Sequence, residues 1–563
     1  MANHITKEIH TSNTVGDIQN PVTYLQNMLQ QSLLVCEFKH VSPKEIENVA
    51  KSLKDKDSHG YDEIPTKVIK QSISYISSPL AHICNLMFSS GTFPTRLKFA
   101  EIIPIYKKGE RMDIANYRPI SILPSFSKIF EKVILKRLIQ HFDYNKILVN
   151  EQFGFRNKTS TTLASFHLTS KILEALNNRL LVGGIFCDLR KAFDCVDHKT
   201  LLEKLYQYGI TGEGLKLLTS YLKDRKQRVI INSRSKVYRS DWEPIQRGVP
   251  QGSVLGPLLF LIYINDLPQT IKPLADPVLF ADDTSMIVKS TEPGEFLHSI
   301  QSNISNVDRW FKSNSLLLNM DKTHLLQFST KNSQLMDLEV HYENKQITAV
   351  NSIKFLGLEI DSTLSWKQHI DSIIPKLNKA CFAVRQVKPY MALEALRMIY
   401  FSYFHSIVTY GIIFCGNSVH SQYVFKTQKR MIRIIADLGV RDSCRCVFKK
   451  LGILPLYSQY LYSLLMFVAE NRDLFQTNFD VHSAGTRYKN DLHLPPARLK
   501  VFQQGTFYSG IRAFNHLPKN IKDLLHDVKH FKRVLKTFFL KHSFYSLEEY
   551  FNSKFDMNVN SQL

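Results

Sequence analysis

The sequence predicts a mixed α/β fold that gives way to a helical one, and three observations predict it. Between Val182 and Ile360, short apolar runs of strand length alternate with helical stretches. From Thr363 onward the strand signals fade and a helical period dominates. A composition of 44% hydrophobic and 22% charged residues over 563 positions suits a globular chain of several domains or one large multi-lobed one.

Residues up to about Phe38 are polar with weak periodicity, and the opening "MANHITKEIHTSNTVGDIQN" lacks the apolar core of a signal peptide. From Pro43 a helix is expected, because "SPKEIENVAKSLK" opens with Ser-Pro and an acidic first turn. Gly60 and Pro65 in "DKDSHGYDEIP" break it, and "FAEIIPIYKKGERMDIANYRPISIL" then sets short apolar pieces around a basic loop. An amphipathic helix is predicted from Ser127 to Asp143, with Ile129, Val133 and Leu135 to Ile139 on its apolar side. Strand readings follow at "LVGGIFCDL", at Gln227 to Ile231, and at "PVLFADD", "SMIVK", "HLLQF" and "IKFLGLEI". Helices are predicted in "ALEALRMIYFSYFHSIVTYG", "TQKRMIRIIADL" and "YSQYLYSLLMFVAENRDLF", before a basic, aromatic final segment. No internal repeat or low-complexity tract divides the chain, so boundaries rest on texture.

Charge narrows the class of partner. Lys and Arg number 72 against 50 Asp and Glu, a net +22, and a surplus of that size favours a polyanion through phosphate contacts and counterion release. The eight cysteines show no C-x-x-C spacing and no following His cluster, which argues against a zinc finger or knuckle and for reduced core thiols. The longest apolar stretch, around Leu258 to Ile264, is far short of the ~20 residues a membrane span requires. A soluble intracellular protein is expected.

Two acidic places carry the chemistry. In "VLFADDTSMIV", Asp282 and Asp283 stand side by side between apolar runs, where each makes the other costlier to ionise. Val278 to Phe280 and Met286 to Val288 read as strands, and Asp-Asp-Thr-Ser as the turn that closes a hairpin. A divalent cation held at the hairpin tip removes the repulsion, since Mg²⁺ prefers carboxylate oxygens. In "GGIFCDLRKAFDCVDH" an apolar strand delivers Asp188 at its exit, and a helix is expected to begin through Lys191, Ala192, Phe193 and Val196. Asp194 and Asp197 read as helix-face or capping acids. Asp188, Asp282 and Asp283 together suit two Mg²⁺ ions, the arrangement that serves in-line phosphoryl transfer. Between them "IQRGVPQGSVLGPLLFLIYINDLP" places Gly248, Gly252 and Gly256 around Gln251 before an apolar helix; glycines admit close backbone approach, and an amide can hydrogen-bond a base or sugar edge.

These phrases resemble a family. "FCDLRKAFDCVDH", "RGVPQGSVLGPLLFLIYINDLP" and "FADDTSM" stand in the order and spacing of reverse transcriptases from non-LTR retrotransposons, most of all the jockey group. "IIPIYKKGERMDIANYRPISILP" is similar to the family's finger motif, "LNMDKTHLLQF" to its later palm motif with a lysine, and "IKFLGLEID" to the strand pair that grips the primer. The resemblance runs from about Pro43 to Tyr550.

It implies an α+β right-hand polymerase that copies RNA into DNA. With the textural boundaries, the expected division is a lead-in over 1–42, fingers over 43–180, a palm with an antiparallel sheet over 181–360, a thumb over 361–440 and a helical basic region over 441–563. Asp188, Asp282 and Asp283 are implied to hold two Mg²⁺ ions, with Mn²⁺ as a substitute. Phe193 matches the aromatic that blocks a ribose 2′-OH. Arg118 and one of Lys107 or Lys108 match the cations that embrace the triphosphate, Lys322 matches a proposed general acid, and Gln251 and Gly252 would line the nascent base pair. The implied partners are an RNA template, a DNA primer and dNTPs in the nucleus or a cytoplasmic ribonucleoprotein, with no membrane. Members of this group carry an endonuclease ahead of the polymerase, whereas about forty weakly patterned residues precede Pro43 here, so an upstream or separate endonuclease partner is expected. The rival readings are an RNA-binding remnant that no longer polymerises and, last, a metal-dependent nuclease.

Overall fold

The computed structural model describes residues 20–28, 33–233, 236–330, 336, 338, 340–342, 345–483 and 488–555. The reading of residues 1–19 lies outside them. The strands are β1 (Phe99–Tyr106), β2 (Tyr117–Ile122), β3 (Leu181–Cys187), β4 (Lys226–Asn232), β5 (Val237–Arg239), β6 (Glu243–Pro244), β7 (Asp276–Phe280), β8 (Asp283–Ser290), β9 (His324–Phe328), β10 (Val340–Tyr342), β11 (Lys345–Ala349), β12 (Ser352–Phe355) and β13 (Leu358–Asp361). The fold is α+β, as expected.

Three sheets form. A five-stranded one has the order β2-β1-β4-β5 with β6 also paired to β4, a six-stranded one runs β10-β11-β9-β3-β8-β7, and β12 pairs with β13 alone. At the centre of the six-stranded sheet, β3 lies antiparallel to both β8 and β9. The near-continuous apolar run of β3 follows from burial on both faces. Val182, Phe186 and Ile287 point into one core and Ile185, Cys187, Met286 and Val288 into the other, the alternation a pleated sheet requires. Gly183 leaves room for the helix Pro293–Ser313, since a Cβ there would sit 2.9 Å from the Phe296 ring.

The second core joins the sheet to the N-terminal helices. Ser42 caps Pro43–Lys51 by accepting from Glu45 N, and the predicted amphipathic helix runs Ser125–Tyr144. The first core joins the opposite face to the C-terminal helices, among them Lys367–Val387, Ser421–Ala436, Leu456–Glu470 and Val528–His542. This junction is specific. The Phe166 ring, on the helix Thr161–Asn177 behind the sheet, lies 4.8 Å from Phe467 and 6.3 Å from Phe475. Asn177 donates to Pro496 O at 3.3 Å and accepts from the backbone N–H groups of Arg498 (2.8 Å) and Leu499 (3.2 Å). Past Asp361 no strand forms among the described residues. No single helix among them is long and apolar enough to cross a membrane.

Candidate active site

The six-stranded sheet brings the three acids to one end. Asp188 leaves β3 directly after Cys187, which pairs with Thr284 of β8. β7 and β8 form a tight hairpin in which Phe280 faces Asp283, so the turn is Ala281 and Asp282 alone. This corrects the expected four-residue turn: Asp283 begins the strand, and Thr284 and Ser285 are buried within it. The sequence hid this because small polar residues read as turn formers, while the turn itself depends on Ala281 adopting a φ of +55°. That region costs an L-residue about 1–2 kcal/mol and is usual for the first position of a two-residue hairpin turn.

The carboxylates act on one another. Withdrawal from water raises Asp282 above the usual carboxylate range; Asp188 adds to the rise, while Arg118 and Lys107 oppose it. Partial desolvation by the surrounding protein, then Asp282 and Asp188, push Asp283 up to about 6 even though its outer edge stays exposed, against the pull of Lys107. Asp188 has its own cation: Lys322 Nζ lies 2.8 Å from its Oδ2, and Asn319 donates to the same oxygen at 3.2 Å. Asn319 N also donates to Asp188 O at 2.8 Å, which ties the strand exit to the segment ahead of β9.

Among the described residues, no three or more His, Cys, Asp or Glu side chains are closed into a metal-ion shell. The donor set nevertheless fits a hard divalent cation by its chemistry: three carboxylates share an electrostatic neighbourhood, two are made harder to ionise by desolvation and then by the charge of neighbouring carboxylates, and the third is paired with a lysine.

The cations arrive from the five-stranded sheet. Arg118 is on β2, opposite Ile105, and Lys107 follows β1, its N–H donating to Asn116 O at 2.9 Å. Both are exposed. The sequence left Lys107 and Lys108 undivided; Lys107 is the one whose charge acts on both Asp282 and Asp283.

Phe193 is half-buried at the edge of the second core. Its ring stacks on Phe260 at 4.5 Å and meets the exposed Phe155 edge-on at 6.2 Å. The expected helix after Asp188 is only the short turn Ala192–Cys195, because Val196 leaves helical backbone and a new helix starts at His198 with Asp197 as its cap. Asp197 therefore has its predicted capping role. Asp194 is only half-exposed: partial burial pushes it up to about 6, and Gln251 Nε2 donates to it at 3.3 Å. Gln251 and Gly252 lie in a loop spliced to β2. Ser121 N donates to Gln251 O at 2.8 Å, and a Cβ on Gly252, at φ +130°, would fall 2.3 Å from Ser121 O.

Two residues that the sequence reading passed over hold this arrangement. Glu131, fully buried on the helix Ser125–Tyr144, accepts from Val254 N at 2.7 Å and Leu255 N at 3.1 Å, anchoring the glycine-rich loop just before its helix. Gln152 reaches the hairpin turn. A carboxylate inside an apolar helix face is the signal that points to Glu131; for Gln152 the nearest one is a lone glycine between two aromatics in "QFGF".

Comparison with known proteins gives the context. Residues 105–360 match the family described as reverse transcriptase (RNA-dependent DNA polymerase). The chain is 30% identical over 456 residues to the probable RNA-directed DNA polymerase from transposon BS of Drosophila melanogaster, covering 77% of this chain and 49% of that protein. It is 30% identical over 358 residues to the RNA-directed DNA polymerase from mobile element jockey of the same species, covering 62% of this chain and 38% of that protein. The chain thus spans half or less of these curated relatives. Among solved structures, an apo telomerase from Candida tropicalis truncated from its C-terminal domain aligns over 54% of this chain and 67% of its own, at 13% identity and a TM-score of 0.33.

Proposed function

We propose, from the premise that residues 105–360 belong to the reverse transcriptase family, that this chain is the polymerase portion of a non-LTR retrotransposon product and copies RNA into DNA by adding dNTPs to a primer 3′-OH. One observation carries the reading: the matched region contains both the three acids gathered at the ends of β3 and the β7–β8 hairpin, and the cations Lys107 and Arg118 whose charges act on them. The α+β fold is then that of a right hand, with fingers over 43–180, palm over 181–360, thumb over 361–440 and a helical region beyond.

Reverse transcriptases use divalent metal ions, and here Asp188, Asp282 and Asp283 would hold two Mg²⁺. When bound, these would make the 3′-hydroxyl a better nucleophile and neutralise the departing pyrophosphate. The chain's own groups do the rest. Lys107 and Arg118 bind the triphosphate, the guanidinium as a fixed fork. Phe193, braced by Phe260, closes the space a ribose 2′-OH needs. Gln251 and Gly252 border the incoming base pair. Lys322 neutralises Asp188 in the resting site and, released from it, has an ammonium that would hand a proton to the leaving group. The basic surplus holds the RNA template and DNA primer. An intracellular setting is supported by the eight cysteines, seven of them buried in the core rather than set out in a framework of pairs.

The test is primer extension on an RNA template with Mg²⁺, comparing the natural chain with Asp282→Ala. The natural chain is expected to extend the primer and the variant not; equal signals would exclude metal-dependent synthesis at this site.

A further inference from the structure

Asp282 is the second residue of a two-residue turn, so its direction depends on the peptide before it. Ala281 is left-handed there, and such a conformation persists only where the surroundings fix it. The surroundings are a segment 129 residues away in sequence. Residues 151–153 run along β7: Leu279 N donates to Glu151 O at 2.9 Å and Phe153 N to Leu279 O at 2.8 Å. This aims the Gln152 side chain at the turn. Its Oε1 accepts from Ala281 N at 2.9 Å and from Gly154 N at 2.7 Å, while Nε2 donates to Ala281 O at 3.4 Å.

Gln152 is 3% exposed, so water does not compete for these partners. Gly154 closes the fit, because a Cβ there would lie 2.2 Å from Ala281 N. Arg156 ties the segment to itself through the carbonyls of Val149 and Gln152. An ordinary buried glutamine satisfies whatever loop lies nearby. This one takes both polar groups of the single residue that aims Asp282.

We propose that Gln152 is a positioning residue of the active site: by gripping the N–H and C=O of Ala281 it sets the direction of Asp282, and so the geometry in which the carboxylates receive a divalent cation. The catalytic part rests on the polymerase reading; the structural part does not. Two substitutions separate hydrogen bonding from packing. Gln152→Met keeps the volume and removes the acceptor, whereas Gln152→Glu keeps an oxygen for both N–H groups.

Hydrogen exchange of residues 279–283 should speed up in the methionine variant while residues 285–290 stay protected, and the glutamate variant should restore protection at the turn. Mn²⁺ affinity, read by water-proton relaxation, and the turnover of primer extension should each fall roughly 10- to 100-fold in the methionine variant, the usual cost of losing a partner that orients a metal ligand. The KM for dNTP should hold, as for an interaction that does not bind the nucleotide. Should the methionine variant unfold on a melting curve, Gln152→Asn, too short to reach Ala281, is read in the same way. Unchanged exchange at the turn overturns the inference, and so does unchanged Mn²⁺ affinity. If the natural chain makes no product at all, the polymerase reading fails while the exchange and Mn²⁺ measurements still decide the role of Gln152.

Discussion

In the six-stranded sheet, β3 is buried from Val182 to Cys187 and β8 from Thr284 to Val288. In the five-stranded sheet, β4 has no buried residue, and β5 and β6 are exposed throughout. The first is pressed between two cores; in the second only Ala100, Glu101 and Ile102 of β1 and Ser121 of β2 are buried. Yet the acids belong to the first and the cations Lys107 and Arg118 to the second. Acids that must share a cation need fixed separations, which packing on both faces provides. On the proposed reading, cations that take up and release a charged nucleotide gain from a looser mount, because segments with few buried apolar contacts open at low cost.

The sharpest way to break this comparison is at the fixed end. Asp188→Asn is expected to reduce extension to background while leaving RNA affinity nearly unchanged, since affinity comes from the distributed basic surface; filter binding alongside extension checks it. Next comes stability. Ile287→Ala, in the buried β8, should cost about 2–5 kcal/mol by denaturant unfolding, whereas Ile231→Ala, 55% exposed on β4, should stay within about 0.5 kcal/mol. Similar losses would mean that the two sheets are equally rigid.

Smaller again is the nucleotide grip. Lys107→Ala should raise the KM for dNTP about 10-fold, the scale of one charge-assisted hydrogen bond, and Lys108→Ala should do much less; the reverse order would reassign the cation. The smallest effect concerns pH. With Asp283 pushed up to about 6, extension should decline as pH falls through that value, and more Mg²⁺ should move the decline to lower pH because metal and proton compete. Stability without metal runs the other way. The folded chain holds this proton more tightly than the unfolded one, so stability decreases as pH rises from about 4 to about 6, and Asp283→Asn should flatten that slope in a series of melting curves.

The acids were legible because two local patterns announce them: an apolar strand ending in Asp188, and a paired Asp282–Asp283 between strand runs. Phe193 and Gln251 stood out only through the company they keep in extended motifs, and the structure adds their contacts with Phe260 and Asp194. What sequence could not give was contact across distance. That Gln152 serves Ala281, that Glu131 secures the loop before Gly256, and that Lys107 rather than Lys108 acts on the acids all depend on how separate segments meet in three dimensions. The turn was misplaced for a local reason: an alanine gives no hint that its backbone will be left-handed, so the polar residues after it looked like the bend. The helix after Asp188 was overlong for a similar one, since Val196 continues the apolar spacing while its backbone has already turned away.

Phe166 and Asn177 carry one consequence for anyone shortening this chain. Their partners come from residues 467–507, so a version ending near residue 440 would keep every acid and cation named above and still leave an aromatic ring bare and an amide unanswered behind the sheet. Such a shortened chain is expected to lose solubility, which sedimentation of the truncated protein beside the full chain would check. Shuffling or grafting the half that holds the acids therefore has to carry its hidden back wall along.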